Sequence, residues 1–430
     1  MFFPQARRWE PVQLNRTVPH RRSAVHPEKG SALTERRALD GVVVLDLSQV
    51  YNGPYCTLLL AQLGAEVIKI EPFGGEPVRW RVVGEQQTTA FDLLNGGKKS
   101  LRLNLKEPRG RDLFLRLVAR ADVVVENFAP GTLDRLALGY AVLAEANERI
   151  ILASGRGYAA TTPQAGQRAM DLTIQAVTGV MATTGQPDQP PTKAGPAVAD
   201  FFGGTHLMGA VAAALYQRTV TGRGQHVEVA MQDAVVPSLA SSIAGYLDSG
   251  GTLPERTGNR HGGLAVCPYN VYPAADGWVA VLCMTDGHWR TLCHLMERAD
   301  LADDPAFASP PARVAQMDKL DEIVAAWTAG RTRDDVVDRL QGAGVPCAAV
   351  RGLADVMSGP LVGADRMIRP VRGADGRPSY AFGSPLRLAD SAPPPAEGAA
   401  ALGEHTEDVL AERLGLDAAA IRELRDENVV

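Results

Sequence analysis

Between residues 41 and 155 short β-type runs alternate with helical runs, and no other feature restricts the fold of this 430-residue chain so tightly. "GVVVLDL" reads as a strand, "YNGP" as a turn, "YCTLLLAQLGA" as a helix stopped near Gly64, and "EVIKIE" as the next strand. There follow "SLRLNL", a helix over "RGRDLFLRLVARA", the strand "DVVVENF", a helical piece around "TLDRLALGY", and "RIILASG". Strands that alternate with helices close as a parallel sheet with helices on its faces, so the expectation is a Rossmann-like α/β fold. Such sheets bind ligands beyond the carboxyl ends of their strands, which directs the search to the loops after Leu47, Glu71, Phe128 and Gly155.

Further on, "DLTIQAVTGVMATTG" is expected to be helical, and the almost wholly apolar segment from Gly204 to Arg218 to be a buried helix. "GQHVEVAMQDAVV" reads as a strand leading into a helix. A second region begins near Leu253. Its "NVYPAADGWVAVLC" is a hairpin on an Asp-Gly turn, followed by helices over "DGHWRTLCHLMER" and "VAQMDKLDEIVAAWTAG" and by the helix and strand of "RDDVVDRLQGAGVPCAAV". The Pro-rich "SAPPPAEGAA" reads as a linker, and the tail from Gly403 carries the caps and charge of two terminal helices. The expected organisation is a flexible extension over residues 1–38, a large α/β domain over 39–252, and a smaller α/β domain over 253–365. A return segment with C-terminal helices, 366–430, then packs on the large domain.

Composition closes off several functions. A formal net charge of -5, with Lys and Arg spread along the chain, gives no general attraction to nucleic acid or to anionic membranes. No apolar run is read as reaching the roughly 18 residues of a membrane span, because Gly, His or charge interrupts the longest ones. The five cysteines form no C-x-x-C pair, which fits a reducing cytoplasm, and the eight histidines show no metal-ligand spacing. The first strand-to-helix turn, "LSQVYNGPYC", lacks Gly-x-Gly-x-x-Gly and puts Pro54 where a phosphate-cradling N–H is wanted, which disfavours nicotinamide and flavin. Neither a Gly-x-Ser-x-Gly elbow nor a P-loop occurs. A permanently bound cofactor and a metal are therefore not expected.

One acid stands out. In "PTKAGPAVADFFGGTHLMGA", Asp200 ends a small apolar run and precedes two glycines and a long apolar segment. A carboxylate in apolar surroundings costs several kcal/mol unless something pairs or uses it, and adjacent glycines signal a close approach of ligand or backbone. Longer blocks give this acid a context. "GVVVLDLSQVYNGPYCTLLLAQLGAEVIKIEP", "NGGKKSLRLNLKEPRGRDL", "ADVVVENFAPGTLDRLALGY", "LYQRTVTGRGQHVEVAMQDAV" and the closing "LGEHTEDVLAERLGLDAAAIRELRDENVV" resemble, in order, the blocks of class III CoA-transferases. That superfamily also holds the α-methylacyl-CoA racemases, and the likeness runs from about residue 39 to the C-terminus.

The resemblance implies a CoA-transferase that carries coenzyme A from an acyl-CoA to a small carboxylic acid. It also implies that the chain works as an interlocked homodimer. "GPAVAD" matches the family's catalytic motif at Asp200, the expected nucleophile, with the two following glycines leaving room for the thioester. A racemase needs a second proton carrier, a His in the matching Gly-His-Asp triplet; here the triplet is Ala169-Met170-Asp171, and a thioether carries no proton. Asp171 matches an acidic position near the active site and has, besides, the structural explanation of a helix N-terminal acid. Asn127 and Phe128 match ligand contacts, Arg135 a residue suited to the ADP phosphates, and Val50 and Leu103 apolar positions along the nucleotide, with Lys98 adding charge. Tyr51 stands where oxalate-specific enzymes carry Gln, and Phe73 where some relatives carry a base. "TGNRHGGLAVCPYN" looks like the family's mobile glycine loop, with Gly262 and Gly263 as its centre and Arg260 and His261 placed to meet the acceptor carboxylate. Trp80 and Arg168 are candidates for the acid pocket by position.

Overall fold

Six strands form one sheet: β1 (Val43–Asp46), β2 (Glu66–Glu71), β3 (Lys99–Arg102), β4 (Val123–Glu126), β5 (Ile151–Arg156) and β6 (His226–Ala230). The computed structural model describes residues 36–80 and 87–430, so the expected N-terminal extension lies almost wholly outside the described residues. The strand order is β3-β2-β1-β4-β5-β6 and every neighbouring pair is parallel. β1 and β4 are buried along their whole length, the reason they read as continuous apolar runs. Successive residues point to opposite faces. On one face Leu45, Ile68 and Val124 pack with Phe114, Leu117 and the C-terminal Val409, Leu410 and Leu424. On the other, Val44, Val67 and Val125 meet Leu60, Leu207 and Val211.

That second face is built by the helix Asn52–Gln62 lying along the 24-residue helix Val198–Thr221. Gly203 and Gly204 sit at the contact, and a Cβ on either would collide with Asn52. The glycines beside Asp200 therefore serve helix–helix approach and not, as the sequence suggested, room for a thioester. The long helix also corrects the reading of apolar run length, since by length and composition it could cross a membrane. Its Asp200, Leu207 and Val211 are buried, and its Arg218 pairs with Asp122 at 2.8 Å, as befits a helix of a protein core.

A three-stranded antiparallel sheet follows, β7 (Tyr269–Ala274), β8 (Gly277–Leu282) and β9 (Cys347–Ala349), with the first two joined at the expected Asp276-Gly277 turn. It has its own core, around Trp289, Leu292, Phe307, Leu320 and Val336. A last hairpin, β10 (Ile368–Arg372) and β11 (Pro378–Phe382), has no sequence signal strong enough to be expected. It docks on the helix Thr89–Asn95, where the Ser379 hydroxyl donates to Asp92. The Pro-rich "linker" is no free spacer at its end: Ala399 is buried, and the Ala400 carbonyl accepts from Arg79 at 2.8 Å.

Candidate functional site

The chain order of the sheet reverses between β1 and β4, and a crevice opens where two neighbouring strands feed loops that diverge. A cavity of about 340 Å³ occupies it, lined by Gln49 and Val50 after β1, Asn127 and Phe128 after β4, Arg156 from β5, Arg168 and Met170 from the following loop, and Asp200. The loop after β2, expected to contribute, does not line it. A larger hollow of about 440 Å³ lies around Gln62 and Arg369, at the far end of the helix Asn52–Gln62 and away from the strand ends.

Asp200 is the third residue of the long helix and only 7% exposed. The first N–H groups of a helix have no partner within it. Here Asp171 supplies one from outside: its Oδ1 accepts from the amides of Ala199 at 2.8 Å and Asp200 at 3.3 Å. The other oxygen of Asp171 accepts from Gln175 at 2.6 Å, and Gln175 in turn accepts from the Ala194 amide at 2.9 Å. Asp171 is thus a remote cap that fixes the backbone of Asp200, a role sequence position did not disclose. Asn52 donates to the Asp200 carbonyl at 3.4 Å, and its buried Oδ1 accepts no hydrogen bond among the described residues. Nothing in the sequence marked Asn52; Gly203 and Gly155, whose absent side chains make its space, were the available signal.

Val50 has φ +67°, a left-handed conformation that is strained for a β-branched residue. Its N–H donates to buried Glu76 at 3.1 Å, which pins the turn at the cavity edge. Asn127 ties the two strand loops together, accepting from the Gln49 amide and donating to the Gln49 carbonyl, both at 2.8 Å. Asn127 is therefore a clamp across the crevice as well as a lining residue. Arg156, which sequence reading passed over, reaches Glu126 at 2.6 Å and Glu228 at 3.6 Å. Arg168 lines the same cavity and makes no hydrogen bond or ion pair with any described residue.

Several expected site residues stand elsewhere. Lys98 is 4% exposed, and its ammonium donates to Asp46, Pro54, Thr57 and Asn95 at 2.7 to 3.1 Å, so it is committed inside the protein. Leu103 is a core residue of the sheet, away from the cavity. Arg135 is exposed on the short helix Thr132–Arg135, just beyond the cavity residues Ala129 and Pro130, and bonds Thr132 at 2.7 Å. Tyr51 stacks on Phe201, centroids 6.1 Å apart, beside Asp200. Phe73 lies under the guanidinium of Arg102 at 4.7 Å, and Trp80 donates to the Gly74 carbonyl at 2.7 Å. The glycine loop packs within the chain against the helix Ala240–Asp248, with Gly262 next to Ser242 and Gly263 next to Gly245. Arg260 is held by Asp318 and Asp321, each at 2.7 Å, and His261 meets the edge of Tyr269 at 5.5 Å. None of the four loop residues lines the cavity that holds Asp200.

A doubly wound sheet with a nearly buried carboxylate at the start of a helix in its switch-point cavity defines a ligand-binding α/β protein. Comparison with known proteins makes this particular. The model of CoA-transferase family III matches residues 39–406, and the chain belongs to that family. It is 41% identical over 389 residues to a succinyl-CoA:mesaconate CoA-transferase of Haloarcula hispanica, covering 87% of this chain and 96% of that one. It is 34% identical over 421 residues to a formyl-CoA:oxalate CoA-transferase of Streptomyces coelicolor, covering 92% and 99%. Among solved structures, a CaiB/BaiF family protein from Brucella suis superposes with a TM-score of 0.77 at 35% identity, over 88% of this chain and all of that one.

Proposed function

We propose that Asp200 is the nucleophile of the transfer and that the cavity at the β1–β4 crevice receives the thioester end of the acyl-CoA. The single observation that carries this reading is a nearly buried carboxylate whose backbone is fixed by Asp171 and which faces the one crevice where a sheet of this order takes its ligand. A carboxylate oxygen of Asp200 attacks the thioester carbonyl and expels CoA thiolate, leaving a mixed anhydride. The thiolate attacks the aspartyl carbonyl, releasing the donor acid and leaving an aspartyl-CoA thioester. The acceptor carboxylate attacks that thioester, again expelling the thiolate, which finally attacks the acceptor's carbonyl and restores the carboxylate. No proton has to be moved, which agrees with Met170 at the position where a racemase needs a base. Backbone N–H groups near the cavity are the candidates for the oxyanion of each tetrahedral step.

Coenzyme A is a substrate on this reading, passing over Val50, Asn127 and Phe128, with Arg135 one turn beyond for the phosphates. Lys98 and Leu103 support these elements from within. The named relatives handle succinyl-CoA and mesaconate, or oxalate, and a dicarboxylic acid is the acceptor proposed here. Residues 253–365 form the smaller domain, which the separate core around Trp289 supports; the glycine loop, packed on the helix Ala240–Asp248 with Arg260 held by two aspartates, gives no support to a covering role. The working form is a homodimer. Apolar side chains left exposed on the long helix, Tyr216 at 74% and Val220 at 77%, supply surface for a second copy. All five cysteines are free thiols, in keeping with a reducing cytoplasm.

The mechanism is tested by trapping. Enzyme incubated with an acyl-CoA donor and hydroxylamine is digested and read by mass spectrometry. A hydroxamate on Asp200 is the expected product, and its absence under turnover conditions overturns the covalent route.

A further inference from the structure

Resting on that assignment of the cavity, we propose that Arg168 reads the carboxylate that does not react, and so selects dicarboxylic acids and their CoA monothioesters. A dicarboxylate differs from a monocarboxylate by a second anion that stays charged through every step of transfer. Carrying an ion into a half-enclosed cavity costs several kcal/mol unless a cation meets it there. Two guanidinium groups line this cavity. Arg156 is already neutralised by Glu126 at 2.6 Å and Glu228 at 3.6 Å. Arg168 is solvent-exposed where it lines the cavity and has no hydrogen-bond or ion-pair partner among the described residues, so its donor fork can exchange water for a carboxylate.

Its place in the chain sets the reach. Arg168 is three residues before Asp171, whose carboxylate binds the amides of Ala199 and Asp200. The selecting cation and the nucleophile are therefore tied to the same short stretch of backbone. The intervening Ala169 and Met170 also line the cavity and add apolar surface to it. A cavity of about 340 Å³ holds a short acyl chain together with the end of a thioester arm. An acid with a carboxylate at each end and a few carbons between fits this combination of apolar surface and charge.

The experiment measures kcat/KM with a dicarboxylate acceptor, glutarate, against its monomethyl ester, using succinyl-CoA as donor, in the wild type, Arg168→Ala and Arg168→Lys. The wild type is expected to prefer the diacid. The preference falls by about 10- to 100-fold in Arg168→Ala, the range for losing a hydrogen-bonded charge pair, and Arg168→Lys recovers part of it. A wild type that uses acid and ester equally, or a preference unchanged in Arg168→Ala, overturns the assignment. If the Asp200 hydroxamate still forms in that case, only the role of Arg168 has failed. If no acid accepts CoA and no hydroxamate forms, the cavity assignment has failed with it.

Discussion

Two clusters of charge lie near the carboxyl ends of the same sheet, and their contrast separates structure from chemistry. Between the helix Asn52–Gln62 and β1, Asp46 is fully buried and accepts from the Ser48 amide at 2.9 Å, Thr57 at 2.7 Å and Lys98 at 3.1 Å. Lys98 in turn spends its donors on four oxygens of the protein. Burial alone raises the Asp46 pKa, but Lys69, Lys98 and the two hydroxyls outweigh it and hold the carboxyl at about 2. Burial also depresses the Lys98 ammonium to about 8, against the pull of Asp46. Across the crevice, the cavity holds Arg168 and Asn52 Oδ1, neither with a hydrogen-bond partner among the described residues. A saturated cluster has nothing left to offer a ligand, whereas the cavity keeps an exposed guanidinium and one buried amide oxygen available to one.

Removing one partner from the saturated cluster is the hardest test of this contrast. Lys98→Met leaves Asp46 charged and buried without its nearest cation, and a loss of about 3–5 kcal/mol in urea unfolding is expected. A Lys98 that served CoA would instead raise KM for the donor and leave the unfolding midpoint in place. The second test is acid. The folded pKa of Asp46, about 2, lies below the unfolded value of 3.8, so its contribution is complete above the higher value and is lost as pH falls through the lower. That contribution is worth about 2 kcal/mol. Unfolding midpoints between pH 5 and pH 2 should therefore slope less steeply in Asp46→Asn than in the wild type; equal slopes would assign the acid sensitivity to other carboxylates. The smallest effect concerns the cap. Asp171→Ala is expected to cost about 1 kcal/mol of stability, as for loss of a helix N-cap, with a fall in kcat that Asp171→Asn partly restores. A change in stability with kcat intact would make Asp171 a structural cap only.

Much of this was legible in the chain. The β–α alternation over residues 41–155 is a local property, because a strand buried on both faces must be apolar throughout and a covering helix must be amphipathic. The hairpin at Asp276-Gly277 was equally clear, since its turn chemistry sits in adjacent residues. Asp200, Asn127, Phe128 and Val50 were singled out through motif likeness, and the structure gathers all four at one cavity. Lys98 was misjudged, because a lysine that ends a loop looks the same in sequence whether its ammonium faces water or four buried oxygens. The β10–β11 hairpin escaped because its alternation is weak, and its support, the helix Thr89–Asn95, lies nearly 300 residues away.

Sequence by itself determined which segments are strands, which helices must be buried, and which acid stands at the head of the longest helix, since periodicity and residue type act over a few neighbours. Only the tertiary structure decided the strand order that makes a crevice between β1 and β4, the use of Gly203 and Gly204 for packing on Asn52, and the cap that Asp171 lends to Asp200. It alone distinguished an arginine already paired, Arg156, from one with no partner among the described residues, Arg168. Partnership between charges depends on distances across the fold, and those are set by packing that no short stretch of chain contains.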